Sequence, residues 1–214
     1  MNLHFFRTLA ALLCVAAVTL ASTVSALELP SERAARQQVD AVFTAARLAL
    51  QKGDGMTLLG LLTRTSRSRL EAIRSTARSG SVAPLDRFSP SEKLAVLSLR
   101  RFVPAAELRR LKTAELIEYA LERHWLRPET VAEAGLGVIT LEGDRAGAPL
   151  IVKGKPGLLR AEFLREGGHW RIDLTRTGAL ADGLIRLFAG VAGQSDEDYV
   201  RHLVGRLKPV HGGT

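Results

Sequence analysis

The sequence RAEFLREGGHWRIDL, residues 160–174, carries the clearest structural signal in this chain. Its double glycine predicts a two-residue turn between antiparallel strands, with Phe163 opposite Ile172. In that register one face carries Ala161, Phe163, Trp170, Ile172 and Leu174. The other face carries Arg160, Glu162, Glu166, His169, Arg171 and Asp173, with Leu164 as the exception. This alternation predicts a sheet with one buried face.

Glycine- and proline-rich turns divide the preceding sequence into further apolar runs, which we interpret as an antiparallel meander. The four predicted strands are Val131–Leu141, Ala148–Lys153, Leu158–Glu166 and His169–Leu174. In the sequence before these strands the apolar residues are Leu and Ala more than β-branched, which favours helix there.

Helical periodicity dominates the sequence on both sides of these strands. The predicted helices are Ser31–Lys52, Met56–Leu62, Arg67–Arg78, Pro90–Phe102, Pro104–Leu111, Ala114–Trp125, Ala179–Ala192 and a last one from Ser195 to about Leu207. Ser66 is the predicted cap of the third helix, and Ser89 with Glu92 forms a predicted capping box for the fourth. The predicted fold is therefore α+β: N-terminal helical hairpins packed on a curved four-stranded antiparallel meander, with C-terminal helices.

The N-terminus has the three zones of a secretory signal. Met1–Thr8 contains Arg7 and no acid, Leu9–Val24 contains no charge, and small residues lead up to Ala26. The apolar run is shorter than the roughly 20 residues of a membrane-spanning helix. We therefore expect cleavage near Ala26 and export, most simply to a bacterial periplasm. The expected mature chain, 27–214, is one domain with a helical part (27–126), a sheet (127–175), C-terminal helices (176–208) and a frayed tail (209–214).

Composition narrows the possible functions. The single cysteine, Cys14, lies in the predicted signal, which leaves the mature chain without a disulfide, a thiolate nucleophile or a cysteine metal site. The net charge is +8, and arginine supplies 24 of the 30 basic residues. Export makes nucleic acid an unsuitable partner for this charge. A solvated surface and an anionic membrane surface remain as explanations.

Two segments resemble the NTF2-like, cystatin-like cone superfamily. Ala45–Leu62, with Lys52-Gly53-Asp54 between two apolar helices, is similar to the opening helices of that fold, and Arg160–Leu174 is similar to its closing hairpin. The helical part is longer than in the minimal cone, and helices follow the last strand. The resemblance implies a pocket between sheet and helices, but it implies no particular chemistry.

Three sets of residues are candidates for a site. Phe43, Phe163, Trp170 and Ile172 are candidates for lining an apolar pocket in the cone. Glu162 opposite Asp173, with His169 on the same face, is the candidate for acid–base catalysis, unless that face is solvated and arginines neutralise the acids. Arg64, Arg67, Arg74 and Arg78 form a candidate anion-binding stripe on one helix.

No metal site or cofactor is expected, because each mature histidine stands alone in its segment. The predicted function is that of a non-catalytic periplasmic protein, which binds an apolar small molecule or lipid in the cone or binds an envelope protein. The alternative is an isomerase- or dehydratase-type enzyme that uses the Glu162 and Asp173 carboxylates. The oligomeric state is left open.

Overall fold

The computed structural model describes residues 29–80, 85–123, 125 and 131–207. The chain divides into two compact units, residues 1–35 and residues 36–214. Of the first unit only Leu29–Ala35 is described, which includes the start of a helix. The predicted signal peptide and the predicted frayed tail lie outside the described residues.

Six α-helices precede the sheet in the described part of the chain. They are α1 (Pro30–Lys52), α2 (Gly55–Leu61), α3 (Arg64–Arg78), α4 (Pro90–Phe102), α5 (Ala105–Arg110) and α6 (Thr113–Glu122), with a 3₁₀ turn at Leu85–Arg87 before α4. The predicted N-terminal helices are confirmed, and their bounds differ from prediction by no more than three residues.

The helix caps explain where α3 and α4 begin. The predicted start of α4 is confirmed, since the Glu92 carboxylate accepts a hydrogen bond of 2.9 Å from the Ser89 backbone N–H. The predicted cap of α3 was wrong by one turn. Thr63 is the N-cap residue, and its hydroxyl accepts from the Ser66 backbone N–H at 3.1 Å. Ser66 is only 1% exposed, because it lies inside the helix and against the sheet connection.

The sheet contains five strands in the described chain and is four strands wide. They are β1 (Ala134–Leu136), β2 (Thr140–Glu142), β3 (Arg145–Val152), β4 (Lys155–Glu166) and β5 (His169–Ile172). β1 and β2 both pair with the same edge of β3, followed by β4 and β5, and all pairs are antiparallel. The predicted strand Val131–Leu141 is thus two short strands, and the α+β fold class is confirmed.

The predicted register of the last hairpin is confirmed: Phe163 pairs with Ile172, and Glu166 pairs with His169. Phe163 lies opposite Ala146 of β3, and both are buried, as is Trp170. The small alanine across from Phe163 leaves room for its ring in the core face of the sheet. The prediction for Leu174 was wrong. It begins a helix and is 38% exposed, because the chain leaves the sheet after Ile172.

Three helices follow the sheet within the described residues: α7 (Leu174–Thr177), α8 (Ala179–Val191) and α9 (Asp196–Arg206). Ser195 caps α9 as predicted, accepting from the Asp198 N–H at 3.1 Å. α8 and α9 pack on α4 and on each other, with Ile185, Val200 and Val204 buried between them. The main helical core lies around α3 to α6 and includes Val96 and Leu99.

Backbone hydrogen bonds join the end of the sheet to the helices. The Thr63 N–H donates to the Ile172 carbonyl at 3.0 Å, beside a parallel bridge from Leu62. The Leu174 N–H donates to the Ser66 hydroxyl at 2.9 Å. These contacts fix the chain where it turns from β5 into α7. No helix in the described residues is long and apolar enough to cross a bilayer.

Candidate functional site

Two adjoining cavities lie on the polar face of the sheet, between β2–β4 and the start of the C-terminal helices. One has a volume of about 220 Å³ and a polar lining. The other has a volume of about 420 Å³ and a more apolar lining. Arg160, Glu162 and Arg176 line both cavities, so we treat them as one feature, the sheet groove.

The polar end of the groove follows from strand register. Arg160 and Glu162 are two residues apart on β4, which places both side chains on one face. Gly147 of β3 pairs with Glu162, and Thr140 of β2 pairs with Gly147. Because Gly147 has no side chain, the ends of the Arg160 and Glu162 side chains can lie over it.

Helix α7 supplies the remaining polar wall. Asp173 is its N-cap, and its carboxylate accepts from the Thr175 N–H at 3.1 Å and from the Arg176 N–H at 3.4 Å. The Thr177 hydroxyl accepts from the Glu162 N–H at 3.2 Å, where β5 no longer borders β4. This brings Arg176 over the same face as Arg160 and Glu162.

Positive charge exceeds negative charge at this end. The Glu162 carboxylate lies 3.3 Å from Arg160 Nε and 3.9 Å from Arg176 Nε, so one acid is shared between two guanidinium groups. Arg145 and Glu142 also line the cavity, opposite each other on β3 and β2, so three arginines face two acids at this end. Arg160 and Arg176 remain about half exposed, at 48% and 51%. Each therefore retains N–H donors for a further anion.

The other end of the groove is apolar. Leu158 of β4, together with Ala179 and Leu180 at the start of α8, lines it. Leu158 is 81% exposed, so this end of the groove is open to solvent. A polar, cationic end and an apolar end thus meet at the two shared arginines.

A third cavity, of about 380 Å³, lies among α3, α4, α7 and α8. Its polar groups are hydrogen-bonded to one another. Arg69 Nε donates to Glu92 at 2.7 Å, and the Ser91 N–H donates to Asp182 at 2.7 Å. Burial raises the pKa of Glu92, but hydrogen bonds from Arg69 and Ser89 outweigh it and hold the pKa below the ordinary 4.5. This network caps and joins helices, and it leaves no base of the described lining in excess for an anion, because Arg69 is matched by Glu92 and the remaining charged group is the acid Asp182.

The predicted apolar pocket residues lie elsewhere. Phe163 is 1% and Trp170 is 5% exposed, so both are packed in the core. Ile172 and Phe43 are partly buried. None of the four lines the three cavities described above.

The two carboxylates of the predicted acid pair have different partners. Asp173 and Glu162 are adjacent through the backbone, since the Asp173 N–H donates to the Glu162 carbonyl at 2.7 Å. The Asp173 carboxylate nevertheless caps α7, and the Glu162 carboxylate pairs with arginines. His169 is exposed at the far end of β5, beside the turn. Arg171 does not neutralise Asp173 as expected, because it donates to the Gly60 carbonyl.

The predicted arginine stripe on α3 is only partly available. Arg64, Arg67 and Arg78 are exposed, as a solvated or anion-binding face requires. Arg74 is 14% exposed at its side chain, because it pairs with Glu71 and donates to the Leu111 carbonyl at 3.1 Å. Arg74 therefore joins α3 to the start of α6 and has no free face for an anion.

Sequence reasoning missed Arg145 and Arg176 as members of a site. Arg145 lies on β3, which begins before the predicted strand, and Arg176 lies on a short helix that the sequence does not predict. Their meeting depends on the turn after Ile172. Among the described residues no group of three His, Cys, Asp or Glu side chains could hold a metal ion.

Comparison with family models, curated proteins and solved structures finds no match to this chain. The NTF2-like resemblance therefore stays a prediction.

Proposed function

We propose that this protein is a non-catalytic binding protein for an anionic amphiphile, a molecule with an acidic head and an apolar chain, held in the sheet groove. The observation that carries the proposal is the shared wall of Arg160 and Arg176 between a cationic cavity and an apolar one. An acidic head would lie among Arg145, Arg160 and Arg176, and the chain would run along Leu158 and Leu180.

Charge and size support this ligand class. Guanidinium groups bind carboxylates and phosphates through paired N–H donors, and each such charged hydrogen bond contributes about 1.5–3 kcal/mol. The apolar cavity of about 420 Å³ lies within the common size range of small-molecule pockets. Leu158 and Leu180, both exposed without a ligand, would lose apolar surface to water on binding.

We propose further that the protein acts outside the cytoplasm, as residues 1–26 predict, and that it is an NTF2-like protein whose ligand lies on the polar face of the sheet instead of inside the cone. The enzyme alternative is less well supported. A general acid–base pair needs two carboxylates directed at one substrate, and Asp173 directs its carboxylate at the N-terminus of α7.

The test measures binding of dodecanoate and of dodecanol by titration calorimetry. We expect dodecanoate to bind at least about tenfold more tightly than the neutral alcohol, because only the acid uses the arginines. The double variant Arg160→Gln/Arg176→Gln should lose that preference.

Arg165→Gln is the matched control. Arg165 is exposed on the same strand, and the register places it on the opposite face from Arg160 and Glu162. Equal binding of acid and alcohol by the wild-type protein would refute the proposal. So would a loss of binding in the Arg165 variant that matches the loss in the groove variant.

A further inference from the structure

Helix α8 carries two apolar faces. Ile185 and Ala189 lie on the first, which is buried against α4 and α9. The second consists of Leu180, Leu184, Leu187, Phe188 and Val191, spaced at i, i+4, i+7, i+8 and i+11. At 100° per residue these five fall within an arc of about 100°, centred roughly 130° around the helix from the buried face. We call this second face the α8 stripe.

Leu184 is half-buried, and the other four residues of the α8 stripe are exposed to solvent. Leu180, Leu187, Phe188 and Val191 are 39%, 59%, 51% and 80% exposed. Single exposed apolar residues are common on protein surfaces, but a row of them along a helix indicates an interaction surface. Nothing within the described residues covers it.

The stripe continues into a cationic region. Leu180 belongs both to the stripe and to the sheet groove, where Arg160 and Arg176 line the same cavity. The whole chain carries a net charge of +8. An apolar helix face beside arginines complements an anionic phospholipid surface, because acyl chains accept leucine and phenylalanine while headgroup phosphates accept guanidinium donors.

A second copy of the chain fits this face less well. A helix of 13 residues is about 20 Å long and presents a strip roughly 10 Å wide, or about 200 Å². A stable protein interface buries about 800 Å² on each partner. A bilayer has no such minimum contact area, since the depth and number of inserted side chains set its affinity.

We propose that the α8 stripe docks this protein on an anionic bilayer, with Leu187, Phe188 and Val191 inserted below the headgroups and Arg160 and Arg176 on phosphates. Docking by the stripe does not require a ligand in the groove. It would place the apolar end of the groove, at Leu180, next to the bilayer from which an amphiphile could enter.

The test is cosedimentation of the mature chain with vesicles of phosphatidylglycerol and phosphatidylcholine in equal parts, and with phosphatidylcholine alone. We expect binding to the mixed vesicles at least about tenfold stronger than to the neutral ones, and weakening as salt shortens the screening length below about 10 Å. The variant Leu187→Ser/Phe188→Ser should bind the mixed vesicles at least about tenfold more weakly than the wild type.

The matched control is Met56→Ser/Val138→Ser, which removes apolar side chains that are 69% and 84% exposed but lie outside the stripe. It should bind as the wild type does. Circular dichroism and urea unfolding of each variant establish that it is folded. Equal binding of wild-type protein to both vesicle types, or equal binding by the stripe variant and the wild type, would overturn the proposal.

Light scattering separates the bilayer from a second copy. A wild-type dimer that becomes a monomer in the Leu187→Ser/Phe188→Ser variant would assign the stripe to self-association and overturn docking on lipid. A wild-type monomer that binds mixed vesicles through the stripe supports it.

Discussion

The carboxylate of Glu162 lies directly over Gly147 of the neighbouring strand. A Cβ atom at position 147 would stand 3.1 Å from each Glu162 carboxylate oxygen and 2.8 Å from Arg160 Nη2. These distances are shorter than normal contacts, so the Arg160–Glu162 ion pair on β4 can keep this position only beside a glycine.

This relationship predicts the effect of Gly147→Ala. The new methyl group should displace the ends of two flexible side chains, so we expect the free energy of unfolding to change by less than about 1 kcal/mol. Binding of dodecanoate should weaken several-fold, because the displaced Arg160 no longer lies over the cavity. Calorimetric titration measures this, with Gly135→Ala on β1 as the control, where a Cβ meets its nearest atom at 4.0 Å. Unchanged affinity would contradict our geometry of the head site.

Replacing either of two glycines of α2 by alanine should change the free energy of unfolding, in opposite directions at the two positions. A Cβ on Gly55 would lie 2.3 Å from the Ala114 carbonyl oxygen, a backbone atom that cannot move aside. We expect Gly55→Ala to lower the free energy of unfolding by about 1–3 kcal/mol. Gly60 has open space around it, so Gly60→Ala should raise that free energy by about 0.5–1 kcal/mol. Urea unfolding followed by circular dichroism compares the two, and equal effects would count against the α2–α6 contact.

The ion pair of Glu92 with Arg69 predicts a pH-dependent stability. The folded-state pKa of Glu92 is lowered below 4.5, so the charged carboxylate stabilises the fold at pH values above 4.5. This contribution is lost as the pH falls through the folded-state pKa. We expect Glu92→Gln to lower the free energy of unfolding by about 1–2 kcal/mol near pH 7, a figure that allows for the partial exposure of the pair. In acid the free energies of unfolding of the variant and the wild type should become equal.

Urea titrations at several pH values measure that difference. Glu107→Gln is the matched control, since Glu107 pairs with Arg110 on the surface at 2.7 Å and one turn apart. Glu107→Gln should lower the free energy of unfolding by no more than about 0.5 kcal/mol at any pH. A Glu92→Gln difference that persists undiminished in acid would show that the side chain acts through packing and not through its charge.

Trp170 is buried, and its indole N–H finds no acceptor among the described residues. An unsatisfied buried donor lowers the free energy of unfolding by about 1–3 kcal/mol, and Trp170→Phe removes that donor. The smaller phenylalanine ring leaves a cavity whose cost is similar, so the two effects offset each other. We therefore expect Trp170→Phe to change the free energy of unfolding by less than about 1 kcal/mol. Phe163→Ala, on the same core face of the sheet, should lower the free energy of unfolding by about 3–5 kcal/mol. Urea unfolding of both variants measures the two costs, and a large loss in Trp170→Phe would indicate that the N–H has an acceptor.

Much of the fold could be predicted because its signals are local. Ser89 and Glu92 are three residues apart, and the Gly167-Gly168 turn sets the hairpin register by itself. The errors arose where a distant contact took over from a local signal. Thr63 replaced Ser66 as a cap because the chain there pairs with Ile172, more than a hundred residues away in sequence.

The candidate site was less predictable than the fold. Glu162 was singled out for its register opposite Asp173, and the backbone contact between the two is present. Its ion-pair partners are arginines, however, and Arg176 reaches it only because the strand ends at Ile172 and Asp173 caps a new helix. Residue spacing alone gives no sign of that change of direction.

The sequence by itself determined the α+β class, the helices other than α7, the hairpin register and the separation of an apolar from a polar sheet face, because each depends on residues within a few positions of one another. The tertiary structure alone decided that Arg145, Arg160 and Arg176 meet, and that α8 buries Ile185 while Leu187 and Phe188 stay exposed. The physical reason is that periodicity records which residues are apolar, whereas burial depends on which element packs against them.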